Sequence, residues 1–117
     1  MRRILLVDDE PSTVDMLRRL LHIKGYDVTT ATTAAEAVAL ARGSSFDLIL
    51  TDIHLPDRSG AEIVRELNAV QKIPAIALTG WAPEDMKPEE VSLFVTVLVK
   101  PVAFDKLLLA IRQALGQ

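Results

Sequence analysis

Asp47-Leu48-Ile49-Leu50-Thr51-Asp52-Ile53-His54-Leu55-Pro56-Asp57-Arg58-Ser59-Gly60 is the stretch on which the fold turns. Its apolar run suits a strand buried on both faces, as in a parallel sheet. The run stops on a carboxylate, Asp52, and breaks at once into a Leu-Pro-Asp-x-x-Gly turn. A strand that ends on an acid and opens into a loop presents that acid. Ser59 is placed to cap a helix running to about Val70, with Ile63, Val64 and Leu67 inward.

Toward the N-terminus the same grammar repeats. Ile4-Leu5-Leu6-Val7 is a second continuous apolar run, ended by Asp8-Asp9-Glu10. Pro11 suits the first turn of a helix, and Val14, Leu17, Leu20 and Leu21 recur at helical spacing until Gly25. Tyr26 to Ala31 reads as a more polar strand, suited to a sheet edge. Thr32 or Thr33 then caps a helix in which Ala35, Val38, Ala39 and Leu40 offer a small-residue face.

Toward the C-terminus, Pro74 to Leu78 is a strand stopping at Thr79-Gly80, and Trp81 to Lys87 reads as loop. Pro88 opens a short helix. Phe94 to Val99 is a fifth strand ended by Lys100-Pro101, and Val102 to Leu115 is a last helix with Leu107, Leu108, Ile111 and Leu115 inward. Strands alternating with helices predict an α/β fold with helices on both faces of a parallel sheet. With right-handed crossovers, the compact five-strand solution is a flavodoxin-like (βα)5 doubly wound sheet of order 2-1-3-4-5. Its ligands bind beyond the carboxyl ends of the strands, where the order reverses.

Length and composition fit one domain spanning residues 1–117. Half of the residues are apolar and a quarter are charged, and a chain of this size buries about two-thirds of its unfolded surface. Cysteine is absent, which excludes disulfides and thiolate metal sites and is compatible with a cytoplasmic location. The apolar runs are too short for a membrane span. A net charge of −3 without a basic run argues against nucleic acid as a direct partner.

The residues at which the strands stop are Asp8 and Asp9, Asp52, Thr79 and Lys100. The predicted topology turns all five into one crevice, with the acids nearest the reversal of order. Carboxylates crowded together repel, and a cation among them relieves the repulsion. Oxygen ligands without thiolates suit Mg²⁺, which readily completes its shell with phosphate oxygens. Lys100 adds a mobile positive charge and Thr79 a hydroxyl donor. A carboxylate nucleophile surrounded by metal, lysine and hydroxyl is a phosphoryl-transfer site.

Four motifs, each at a strand end, resemble those of response-regulator receiver (CheY-like) domains of two-component signalling. They are Val7-Asp8-Asp9-Glu10-Pro11, Asp52 to Gly60, Leu78-Thr79-Gly80-Trp81 and Val99-Lys100-Pro101. The resemblance covers essentially the whole chain. It implies that Asp52 is the phospho-acceptor, with Asp9 a direct Mg²⁺ ligand and Asp8 an acid acting more through water. It also implies that His54 supplies a backbone carbonyl to the metal, that Thr79 moves to the phosphoryl group, that Lys100 pairs with it and that Pro101 follows a cis peptide. The donor it implies is a sensor histidine kinase or a phosphotransfer protein, in the cytoplasm. Such domains catalyse their own phosphorylation and dephosphorylation without being conventional enzymes. Thr79-Gly80-Trp81 followed by a later proline further resembles receivers attached to hybrid histidine kinases.

One position departs from the family: Val97 stands where it usually has an aromatic residue, three before the lysine. The fourth helix is also expected to be short or irregular. Both favour, as the alternative function, a receiver that no longer switches and serves as a protein docking module. Homodimerisation is open, and the surface of the fourth helix, fifth strand and fifth helix is its expected seat, with Leu93 and Phe94 exposing apolar area. An aspartyl-nucleophile phosphatase of the haloacid-dehalogenase-like kind would need an acid two residues past the nucleophile, where this chain has His54. Asp57 reads as a turn residue, and His54 as an exposed loop side chain used through its backbone.

Overall fold

Side chains of a strand alternate between its two faces, so a sheet covered by helices on both sides needs apolar residues at every position. Three central strands meet that demand: β1 (Arg3–Val7), β3 (Leu48–Asp52) and β4 (Ala75–Thr79), whose residues are buried almost without exception. The edges are β2 (Asp27–Ala31) and β5 (Thr96–Val99), both more polar or more exposed. All pairings are parallel, in the order β2-β1-β3-β4-β5, as the alternation of strands and helices requires. The computed structural model describes residues 1–69 and 71–117.

The helices are α1 (Pro11–Ile23), α2 (Ala34–Gly43), α3 (Gly60–Asn68), α4 (Pro88–Val91) and α5 (Phe104–Ala114). Ile4, Leu6, Leu48, Leu50, Ile76 and Leu78 point to one face and form a core with Val14, Leu17 and Leu21 of α1 and Leu107 and Ile111 of α5. Leu5, Val7, Ile49, Ala75 and Ala77 point to the other and pack with α2 and α3. Pro11 occupies the first turn of α1, and Gly25 closes the turn after it at φ 94°, a backbone region that favours glycine. Among the described residues no helix is long and apolar enough to cross a membrane.

Several local expectations change. The inward face of α2 is Ala34, Ala37, Val38 and Ala41. Ala35 and Ala39 are exposed, because the i, i+3, i+4, i+7 stripe starts one residue earlier than the sequence reading placed it. The expected fifth strand, Phe94 to Val99, pairs only from Thr96. Phe94 is not surface apolar area but is buried in the core on the α2–α3 face, and Leu93 is packed against it. The Trp81–Lys87 loop contains a 3-10 turn at Pro83–Asp85. Finally, α3 extends to Asn68 with Ala69 at its C-cap, and the expected end near Val70 lies outside the described residues.

Candidate functional site

The parallel order brings the carboxyl ends of β1, β3, β4 and β5 to one edge of the sheet. Asp8 follows β1 directly. Its N–H donates to the Ala31 carbonyl at the end of β2 at 3.1 Å, so the β1–β2 pairing fixes its backbone. Its side chain is fully buried: Oδ1 accepts from the Glu10 N–H at 3.0 Å and Oδ2 from Lys100 Nζ at 3.1 Å. Asp52 is the last residue of β3 and is also buried. Its Oδ1 accepts from the His54 N–H at 3.1 Å and its Oδ2 from Lys100 Nζ at 2.9 Å.

Lys100 follows β5, and its N–H donates to the Thr79 carbonyl at 2.7 Å, one step beyond the β4–β5 ladder. The peptide between Lys100 and Pro101 is cis. Burial alone would pull the Lys100 ammonium down, but its hydrogen bonds to Asp52 and Asp8, with their charges, outweigh that and hold it above the ordinary lysine value. Thr79 is buried at the end of β4, and its Oγ1 accepts from the Trp81 N–H at 3.0 Å.

Asp8, Asp9 and Asp52 each offer a carboxylate oxygen, and these atoms lie within 4.8 Å of one another. Asp9 is exposed and the other two are buried. Three carboxylates thus face one ammonium, and the uncompensated charge is negative. An oxygen-only donor set with excess negative charge, open to solvent through Asp9, fits a hard divalent cation such as Mg²⁺.

The structure links the strand-end residues named from the sequence: the carboxylates of Asp8, Asp9 and Asp52 cluster, the Lys100 ammonium bridges Asp8 and Asp52, and Thr79 joins through its carbonyl to the Lys100 N–H. It also assigns side-chain contacts that the sequence did not name. His54 is exposed, but its ring packs on Trp81, with centroids 4.2 Å apart and planes at 47°. The two rings therefore join the loops that follow β3 and β4. Gly60, at the start of α3, is pressed against the acceptor strand. A Cβ there would fall on the Asp52 carbonyl oxygen and within 3.1 Å of its carbonyl carbon and of Thr51 Oγ1. Thr51 Oγ1 itself donates to that carbonyl at 2.9 Å.

Asp57 is the residue that sequence reasoning missed. Its Oδ1 accepts from the Ala34 N–H at 2.9 Å and its Oδ2 from the Ala35 N–H at 3.1 Å. It thereby caps the first turn of a helix that precedes it by more than twenty residues. These two N–H groups hold its carboxyl below the ordinary value near 3.8. The only sequence signal was an acid in a turn, and nothing in it names the distant partner.

Comparison with known proteins gives the same outline. The family model for the response regulator receiver domain matches residues 4–112. An uncharacterized 14.6 kDa protein of Leptolyngbya boryana is 41% identical over 103 residues, covering 85% of this chain and 79% of that protein. The transcriptional regulatory protein ZraR of Klebsiella oxytoca is 35% identical over 97% of this chain, which spans only 26% of ZraR. Among solved structures, the response regulator TrrA of Thermotoga maritima, crystallised with Mg²⁺ and BeF, aligns with a TM-score of 0.89 at 30% identity. That alignment covers 97% of this chain and 99% of TrrA.

Two outcomes follow from this geometry. Gly60→Ala is expected to lower stability by about 1–3 kcal/mol, the usual cost of forcing an extra carbon into a filled space. An unchanged urea midpoint would mean that the Asp52 carbonyl yields freely. Asp57→Asn tests the cap by its pH dependence. A folded pKa below the unfolded value contributes stability that is full above that value, near 3.8, and is lost as pH falls through the lower folded pKa. The gap in urea midpoint between wild type and Asp57→Asn is therefore expected to be constant near neutrality and to narrow below pH 3.8; a gap that is the same at every pH rules out the charged cap.

Proposed function

This chain belongs to the response regulator receiver domain family, and on that premise we propose that residues 1–117 act as one phospho-accepting unit with Asp52 as the acceptor. The observation that carries the reading is the pair of bonds from Lys100 Nζ to the buried carboxylates of Asp52 and Asp8. A reactive acid held at the end of a buried strand, beside a charge partner and within an acid cluster, is arranged for nucleophilic attack on phosphorus.

In this reading the donor is a phosphohistidine on a histidine kinase or phosphotransfer protein. One carboxylate oxygen of Asp52 forms a bond to phosphorus while the phosphorus–nitrogen bond of the donor breaks. The electron pair stays on the donor imidazole, and Asp52 becomes an acyl phosphate. Asp8, Asp9, Asp52 and the backbone carbonyl of His54 would hold Mg²⁺. The ion, when bound, supplies positive charge to the acids and to the phosphoryl oxygens. Lys100, already bonded to Asp52, stays within reach of a phosphoryl oxygen, and the Thr79 hydroxyl donates to another. Trp81, 56% exposed, and His54 stand together at the mouth and limit water reaching the acyl phosphate. Dephosphorylation is then the domain's own reaction with water rather than turnover of an outside substrate.

The readout is proposed for the face of α4, β5 and α5. Val97 is half-buried against the core on the α2–α3 face, and its short branched side chain has no long arm to swing between inward and outward positions. Val95, Val99 and Leu109 are the exposed apolar residues there, and they mark the surface for a homodimer or another partner. A docking module that never switches is the second reading, favoured by Val97 and by an α4 of four residues with none buried.

Incubation with Mg²⁺ and acetyl phosphate, followed by intact-mass measurement, tests the first reading. One added phosphate is expected on the wild type and none on Asp52→Asn; a phosphate retained on Asp52→Asn would place the acceptor elsewhere. A change in oligomeric state or Trp81 fluorescence on phosphorylation separates switching from docking. Trp81→Ala is expected to shorten the phosphoryl half-life several-fold, and an unchanged or longer half-life would remove the shielding role.

A further inference from the structure

Three N–H groups open α2, and their partners come from two different places. Thr33 Oγ1 accepts from the Glu36 N–H at 3.2 Å, a local cap. The Ala34 and Ala35 N–H groups are served only from outside, by the two oxygens of Asp57. Helix starts carry partial positive charge, so a carboxylate there gains from the dipole as well as from the bonds.

Both ends of this link reach the acid cluster. On one side, α2 begins three residues after Ala31, whose carbonyl holds the Asp8 N–H. On the other, Asp57 lies three residues after His54. The loop between is closed on itself by the bridge of His54 to Ser59 and by the Gly60 N–H donating to the Ile53 carbonyl at 2.8 Å. Arg58, the next residue, turns the other way and pairs with Glu62 at 3.3 Å and Glu66 at 2.9 Å on α3. The loop that carries the His54 backbone is thus tied to α2 by one residue and to α3 by its neighbour. An exposed turn acid needs neither of its bonds to make a turn.

We propose that Asp57 is a positioning residue for the cation site: by clamping the start of α2, its carboxylate sets the loop whose His54 backbone completes the ligand set with Asp8, Asp9 and Asp52. This rests on the reading of that cluster as a Mg²⁺ site. Groups that orient metal ligands commonly change affinity about tenfold or more when removed. Asp57 does so through backbone geometry alone, since it offers the ion no atom.

The test is a MgCl2 titration followed by Trp81 fluorescence, on the wild type, Asp57→Ala, Asp57→Asn and Thr33→Ala, with amide exchange at Ala34 and Ala35 measured in parallel. Asp57→Ala is expected to weaken Mg²⁺ binding about tenfold and to speed exchange at both amides. Asp57→Asn keeps one acceptor oxygen and is expected to recover part of the affinity. Thr33→Ala loosens the same helix without touching the link, and is expected to leave Mg²⁺ affinity near that of the wild type. Wild-type affinity in Asp57→Ala, or an equal loss in Thr33→Ala, overturns the proposal and reduces Asp57 to a helix cap. A wild type that binds no Mg²⁺ defeats the site reading itself, and this inference with it.

Discussion

Lys100 holds two buried carboxylates that would otherwise push the strand ends apart. Its ammonium lies 3.1 Å from Asp8 and 2.9 Å from Asp52, joining residues 92 and 48 positions away in the chain. That bridge is possible only because the strand order sets β1 beside β3 and closes β5 onto β4. A buried acid left without a partner is costly, and a buried pair with one member removed is among the more destabilising defects. The sheet therefore supplies the apolar interior and the bridge allows that interior to end in charge. Everything at the site, from the Thr79 hydroxyl to the exposed Asp9, is arranged around this exception to apolar burial.

Much of that arrangement was legible in the residues. Continuous apolar runs named the three central strands, and their stopping points named Asp8, Asp52 and Thr79 without reference to any partner. Lys100 was legible for the same reason, as a lone cation between an apolar strand and a proline. The less legible parts share one physical cause, which is that they depend on tertiary contacts. Small alanine-rich helices carry a weak periodic signal, so the face of α2 was displaced by one position. Phe94 looks like the start of a strand, yet it turns into the core before pairing begins at Thr96. Gly60 belonged to the recognised motif, but its reason, the approach of α3 to the Asp52 carbonyl, is visible only in space.

Asp57 and the His54–Trp81 pair are the clearest cases of information absent from local pattern. Each links segments more than twenty residues apart, and in neither does the local pattern name the partner. The polar chemistry around the acids is consequently less modular than the strand-end motifs suggest. Arg42 of α2 pairs with Glu66 of α3 at 3.0 Å, and Glu66 also meets Arg58. These part-exposed ion pairs contribute little individually, but they lie on the same side as the Asp57 clamp and tie both α2 and the loop after β3 to α3. The α2 and α3 helices are joined by polar ties, whereas among the described residues the side-chain hydrogen bonds of α4 stay within its own turn.

That asymmetry has a cooperative consequence. A single helical turn cannot sustain itself, since nucleation costs more than one turn returns. The four residues of α4 bury no side chain; the apolar residues that flank the turn, Met86 before it and Leu93 and Phe94 after it, make the core contacts instead. Local opening of such a segment draws on few contacts, so it lies toward the low end of the ladder of partial unfolding free energies, well below the cost of opening β1 or β3. The molecule is in this sense two-tempered: a sheet and its ties that keep the acids in register, and one short turn, α4, that buries no side chain of its own.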